Sequence, residues 1–397
     1  MRWAGAAVAA TSGAQGDNPS GALAALMSAA LALPIAITPL RSGAAETGEL
    51  GISLLAYRER GPRMKITEPV LWASVPFAGT WELSASALVD IVTGASPGIV
   101  TNAGGSPVQT ITGASVADHR RAGEARLAKR LGELTVSVSR TVSSEEDYRS
   151  RAFGIDAKLD LAGRNTTLVA GYGKSGDRIG SVDDPQLDEH RDTREYLVGL
   201  TQVLSPHAIV QSNVQWSRGK GWYSDPYLST VTFYPGTPLP ALMLDTRPDF
   251  RNSVAWLTRY RRHFPDRHAT FQADYRHFRD DWGIRSHALE IAWSRDLRDG
   301  WAARAALRWY SQSAADFYAA LVPRPRPALL SSDQRLAAFG SLSPSMRLSW
   351  RSAEGIAVEG TVGFYRNAKG YRIGGAGSPE FETLSATYVL LSASREF

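Results

Sequence analysis

Nearly everything beyond residue 46 repeats with a period of two, and that period restricts the chain to extended strands. In 209–217, Val210, Val214 and Trp216 alternate with Gln211, Asn213 and Gln215. In 286–294, Leu289, Ile291 and Trp293 alternate with Ala288, Glu290 and Ala292. In 301–310, Trp301, Ala303, Ala305, Leu307 and Trp309 alternate with Arg304, Ala306 and Arg308. In 355–365, Ile356, Val358, Val362 and Phe364 alternate with Ala357, Glu359, Thr361 and Tyr365. Wound as helices, these segments would scatter charge all round the cylinder.

The connections between strands alternate in length. Tight turns occur at Phe77-Ala78-Gly79-Thr80, Leu204-Ser205-Pro206-His207, Phe264-Pro265-Asp266-Arg267, Leu297-Arg298-Asp299-Gly300 and Ala353-Glu354-Gly355. Most of the connections between them are long, at about 93–119, 142–150, 175–191, 219–250, 313–336 and 367–381. Those near 60–62 and 280–283 are short. This alternation is that of a transmembrane antiparallel up-and-down β-barrel, with short periplasmic turns and long extracellular loops. The pattern predicts about 16 strands (14–18), an even number, so both chain termini are expected on the periplasmic, turn side. A propeller would show a repeat of about forty residues, and none is present. No run of eighteen apolar residues suggests a membrane helix.

Residues 22–38 form an apolar block followed by small residues, with Gly43 and Ala45 at the spacing of a signal-peptidase site. Residues 1–45 are therefore expected to be a signal peptide or a mis-assigned leader, and 46–397 a single outer-membrane barrel. In the last strand Val389, Leu391, Ala393 and the terminal Phe397 share one face, interrupted by Arg395. A terminal aromatic of this kind suits the barrel assembly machinery, and the apolar face suits outer-membrane lipid.

A barrel of this kind turns its polar face inward. The expected inward positions of the tenth to fourteenth strands are rich in Arg: Arg259, Arg261, Arg276, Arg304, Arg308, Arg347 and Arg351. Asp274, Glu290 and, on the next strand, Glu359 are the acids among them; Asp156, Lys158 and Asp160 lie on the sixth strand. Such charges either pair across strands and stiffen the wall or form a lining that favours anions. The loops gather acids and aromatics, including Asp225, Asp249, Asp280, Asp281, Trp282 and Asp316. The loops at 219–250 and 313–336 are long enough to plug the lumen.

Several chemistries are excluded or unsupported. The chain has no Cys, so it holds neither a disulfide nor a thiolate site. Its 44 Lys+Arg and 39 Asp+Glu are interspersed, which argues against a nucleic-acid partner. The acidic runs lack calcium-loop spacing, the seven His form no tight ligand pair, and there is no cofactor-binding motif. No hydrolase or nucleotide-binding motif appears either. An enzyme is not expected; a barrel hydrolase is the remote alternative.

A set of short motifs identifies a resemblance. Asn165-Thr166-Thr167-Leu168, Ser224-Asp225-Pro226-Tyr227, Arg247-Pro248-Asp249, Asp274-Tyr275-Arg276, Asp280-Asp281-Trp282-Gly283-Ile284 and Ser311-Gln312-Ser313-Ala314-Ala315-Asp316-Phe317-Tyr318 resemble the bacterial family called domain of unknown function 3570. Ser331-Ser332-Asp333-Gln334-Arg335 also resembles a family stretch, with Gln334 where an aromatic is expected. The resemblance implies an outer-membrane barrel with no assigned activity, accompanied by a small lipoprotein, a thioredoxin-like protein and a flavin-transferring protein. Two functions follow as expectations: a channel or transport component for small polar or anionic solutes, or a non-channel envelope component that docks a periplasmic redox-related or lipoprotein partner.

Overall fold

The computed structural model describes residues 47–61, 64–103, 106–233, 240–321 and 326–397. The expected signal segment lies outside the described residues, as does most of the Pro-Arg run at 323–327.

Sixteen strands form the wall. They are β1 (Glu49–Glu59), β2 (Lys65–Phe77), β3 (Trp81–Ala103), β4 (Ser106–Leu131), β5 (Leu134–Ser144), β6 (Tyr148–Leu161), β7 (Thr166–Ile179), β8 (Glu189–Ser205), β9 (Ala208–Gly221), β12 (Phe250–Phe264), β13 (Ala269–Asp280), β14 (Arg285–Asp296), β15 (Trp301–Gln312), β16 (Phe339–Arg351), β17 (Ile356–Ala368) and β18 (Ser385–Glu396). Two short strands, β10 (Ser229–Phe233) and β11 (Pro240–Leu244), form a hairpin in the loop between β9 and β12. Residues Ser229 and Thr230 of that hairpin pair in parallel with Ile99 and Val100 of β3.

Each wall strand runs antiparallel to both neighbours, and β1 closes on β18 from Glu49↔Glu396 to Glu59↔Ala386. Closure satisfies the backbone groups that a free sheet edge would leave bare in hydrocarbon. Tight turns at one end use left-handed backbone where geometry demands it. At Asp299-Gly300, φ is +57° and +78°, a conformation glycine adopts without penalty.

Alternation assigns the two faces. The outside carries Ile52, Val198, Leu307 and Leu391, all about half exposed, as a lipid-facing belt must be. Aromatic pairs mark its rims. At the turn end stand Phe77–Trp81 (centroids 6.2 Å), Phe264–Trp293 (5.5 Å) and Trp301–Trp350 (6.4 Å). At the loop end stand Tyr172–Tyr196–Trp216 (5.3 and 5.1 Å) and Trp256–Tyr275 (6.1 Å). Their amphipathic rings suit the boundary between hydrocarbon and headgroups. Phe397 faces outward and is exposed.

Two expected loops are not loops. The segment 93–119 continues β3 and β4, which pair out to Ala103↔Ser106 with register shifts between Ala95 and Ile99. The segment 142–150 shrinks to residues 145–147, because β5 and β6 pair up to Ser144↔Arg149. In both, backbone pairing continues past the stretch over which the period of two is legible in the sequence.

The remaining long loops fold inward over the mouth. Leu336 and Ala337 are almost fully buried against the inward residues Phe278, Ala288, Tyr310 and Phe339 of the wall. The Gln312 side-chain amide donates to the carbonyls of Arg335 (2.8 Å) and Ala337 (2.7 Å), fixing this loop to β15. From the next loop, Phe381 stacks on Phe339 at 4.7 Å.

Candidate functional site

The lumen has two electrically different sides. On β12 to β17, the inward positions carry eight guanidiniums, Arg251, Arg259, Arg261, Arg276, Arg304, Arg308, Arg347 and Arg351, against five carboxylates, Asp274, Asp280, Glu290, Asp296 and Glu359. Register brings them together. Arg259 pairs with Asp274 at 3.2 Å, Arg304 with Glu290 at 2.6 Å, and Arg347 with Glu359 at 3.6 Å. Arg308 stands opposite Glu290, and Arg276 lies over the Phe278 ring at 5.5 Å. At the turn end Arg351 pairs with Glu396 at 3.1 Å. Cross-strand ion pairs are thus present, and guanidiniums outnumber carboxylates on this side.

The side formed by β2 to β8 has the reverse balance. Its inward acids include Glu68, Glu82, Asp90, Glu124, Asp156, Asp160, Asp177, Glu189 and Glu195. Its inward bases include Arg120, Arg126, Arg130, Lys158 and Arg191. Arg126 pairs with Asp156 at 2.8 Å, Arg191 with Asp177 at 2.9 Å, and Lys158 with Asp160 at 3.3 Å. Asp90 is fully buried with Arg120 3.7 Å away. A basic side facing an acidic side sets an electrostatic field across the lumen. Of the acidic side, only the inward pattern of β6 is readable in the sequence. The rest escapes it, because isolated acids on β2, β3 and β8 carry no local signal.

Above this lumen the loops are locked by an ion network. Arg247 donates from Nε to Asp245 at 2.6 Å and from Nη2 to Asp333 at 3.0 Å. Arg335 donates from Nε to Asp333 at 2.7 Å and from Nη2 to Asp225 at 2.8 Å. The Asp225 backbone N–H donates to Asp245 at 2.8 Å. Thr246 and Leu330 exchange backbone hydrogen bonds at 2.9 and 2.8 Å, so the described parts of 222–249 and 313–338 are joined into one lid. This network is legible in sequence only in part. Asp225 stands out there, whereas Arg247, Asp333 and Arg335 are visible only within motifs.

Three carboxylates share two guanidiniums here, and burial decides which acid keeps a proton. Burial raises Asp225 from 3.8 to about 7, against the pull of Arg335 and Arg247. Burial also works to raise Asp333, but Arg335 and Arg247 outweigh it and hold that carboxyl down at about 2. The folded lid thus keeps a proton on Asp225 that the opened lid loses above its ordinary value of 3.8, so closure weakens as pH rises toward about 7. Below about pH 4 closure weakens again, as the opened lid takes up a proton that Asp333 refuses. Protease cleavage within 222–249 and 313–338, followed across this range, should be slowest near about pH 4–5 and faster at about pH 8.

The other loop residues singled out in sequence have distinct places. Asp280 receives Arg251 Nε at 2.9 Å and accepts the Ile284 N–H at 2.9 Å, closing the β13–β14 turn. Asp281 accepts the Asn252 side-chain amide at 2.7 Å. Trp282 is buried edge-on to Tyr223 and Phe317, both at 5.2 Å. The Asp316 backbone N–H donates to the Trp282 carbonyl at 2.8 Å. Its carboxylate sits against Gly283, where φ is +85° and a Cβ would collide with it. Asp249 is exposed, and its backbone carbonyl accepts the Gly221 N–H at 2.7 Å. Among the described residues no group of three His, Asp or Glu is arranged to hold a metal ion. His277 and His287 are outward cross-strand neighbours with rings 4.8 Å apart.

A closed antiparallel barrel with a lipid-facing belt, two aromatic rims, a charged lumen and inward-folded loops defines the outer-membrane class of transmembrane β-barrels. More specifically, the model of the family "Protein of unknown function (DUF3570)" matches residues 23–190 and 182–388, and the chain belongs to that family. Among solved structures, CdiB from Acinetobacter baumannii resembles it with a TM-score of 0.50 at 9% identity, over 87% of this chain and 60% of CdiB. A bacterial polysaccharide outer membrane secretin does so at 0.47 and 10% identity, over 88% of this chain and 98% of that one. OccK3 (OpdO) of Pseudomonas aeruginosa does so at 0.43 and 11% identity, over 88% and 96%. At these identities the likeness concerns the fold. No curated protein sequence matches the chain.

Proposed function

We propose that this protein is an outer-membrane channel or transport component for small polar solutes, anions among them, with entry governed by the loop lid. The reading rests on the lumen. Charged side chains line both sides of the wall, the guanidiniums in excess on β12 to β17 and the carboxylates in excess on β2 to β8. Cross-strand pairing accounts for part of this charge, and the opposite surpluses left on the two sides are those of a polar, hydrated lining.

The test is planar-bilayer recording of the refolded barrel, with reversal potential in a salt gradient. Arg304→Ala and Arg308→Ala together should lower the anion-to-cation permeability ratio several-fold, since they remove two positive charges from one side of the lumen. A barrel that stays silent after both lid loops are shortened would end the channel reading.

A further inference from the structure

We infer that the outer surface of the barrel, at its loop end, carries a binding site for the phosphate groups of an anionic lipid in the loop-side leaflet. The inference depends on the barrel spanning a membrane and stands whether or not the lumen conducts.

The observation is a stacked pair of rows on β7, β8 and β9. Tyr172, Tyr196 and Trp216 lie directly opposite one another on the outside, with centroids 5.3 and 5.1 Å apart. Two residues nearer the loops, on the same face, Lys174 stands opposite Arg194 and Arg194 opposite Arg218. All three cations are exposed. Aromatic rings mark the boundary of the hydrocarbon, so the cationic row sits at headgroup height.

Like charges placed directly opposite across strands repel. Three in one row need an anion, and the protein supplies little. Asp192 approaches Lys174 at 3.8 Å, while Arg194 and Arg218 have no carboxylate partner among the described residues. Opposed outward cations recur at the loop end. Arg279 stands opposite Arg285, one step above His277 and His287 and two above Tyr275, and Arg58 stands opposite Lys65. At the turn end the outward cations are single: Arg262, Arg295 and Arg395 face apolar residues across the strands. The paired cations described here are thus confined to one leaflet. Guanidiniums bind phosphate oxygens through parallel N–H donors, a planar match that a diffuse counter-ion does not offer. A bisphosphorylated glycolipid would meet the row with its phosphates and the aromatic row with its acyl chains.

The test titrates the refolded barrel, in uncharged detergent, with bisphosphorylated lipid A and with its dephosphorylated form, reading bound lipid by native mass spectrometry. The phosphorylated lipid should bind about tenfold tighter or better, and less tightly as salt rises. Arg194→Gln with Arg218→Gln should weaken it roughly 30-fold, whereas Arg295→Gln at the turn end should leave it unchanged. All variants lie on the outer face, and heat-modifiable gel mobility reports their folding. Equal binding of the dephosphorylated lipid by the unaltered protein would overturn the inference without recourse to any variant. So would unchanged binding by the double variant. Displacement of the lipid by millimolar inorganic phosphate would also overturn it, by showing a simple anion site.

Discussion

Asp333→Ala should open the lid while leaving the barrel intact. Asp333 accepts Arg247 Nη2 at 3.0 Å, Arg335 Nε at 2.7 Å and the Arg335 backbone N–H at 2.9 Å. It therefore holds both guanidiniums of the network. Removing it leaves Arg247, which is 6% exposed, and Arg335 to share Asp245 and Asp225. Burial disfavours the charged form of Asp225, so that side chain compensates the two guanidiniums poorly. Breaking a buried pair from one side costs about 3–5 kcal/mol, mainly because the remaining charge stays buried and uncompensated. That cost falls on the contact between 222–249 and 313–338, since the wall's own hydrogen bonds are untouched. Limited proteolysis should cut both segments much faster, with no loss of the heat-modifiable gel shift. Asp333→Asn keeps the volume and some hydrogen bonds and should fall between the two. Unchanged cleavage in the alanine variant would show that the ion network does not hold the lid.

Trp282→Ala should loosen the same lid from its apolar side. Trp282 is 2% exposed. It packs edge-on between Tyr223 of one loop and Phe317 of another, beneath Arg251 at 4.1 Å from its ring. Its indole N–H donates to the Phe250 carbonyl at 2.9 Å. Truncating a buried Trp to Ala costs about 3–5 kcal/mol through lost burial and the cavity left behind. Trp282→Phe retains much of the packing and loses the hydrogen bond, so it should cost less, about 1 kcal/mol from that bond. The readout again is cleavage of the loops against an intact barrel. If Trp282→Ala is cut no faster than Trp282→Phe, the residue does not hold the lid as its burial implies.

The two substitutions attack the lid by different physics, and salt separates them from the outer surface. Asp333→Ala should behave nearly alike at low and high salt, because its network is buried and poorly screened. The outer lipid row, by contrast, is exposed and should respond to salt strongly.

Much of this architecture is written locally. A period of two over some ten residues with a turn after it specifies a strand, its face and its direction, and the alternation of short and long connections specifies the two ends. The inward Arg residues from Arg259 to Arg347 are legible for the same reason: once one residue of a strand is known to face lipid, every second residue does too. The terminal Phe397 and the aromatic rims follow from the same alternation.

What the sequence could not carry is anything that depends on which strands and loops meet. Glu68, Asp90 and Glu195 are ordinary in their own segments, and they form an acidic side only because β2 to β8 become one arc of a closed wall. Arg247 and Asp333 are 86 residues apart, and no local pattern predicts their 3.0 Å contact. Lys174, Arg194 and Arg218 look like common solvated charges until register places them in one row. Strand identity and face are set by neighbours along the chain, through backbone sterics and the lipid–water contrast. The lid, the two-sided lumen and the cationic rows are set by neighbours across it, through closure and register, and so were decided only in the folded barrel.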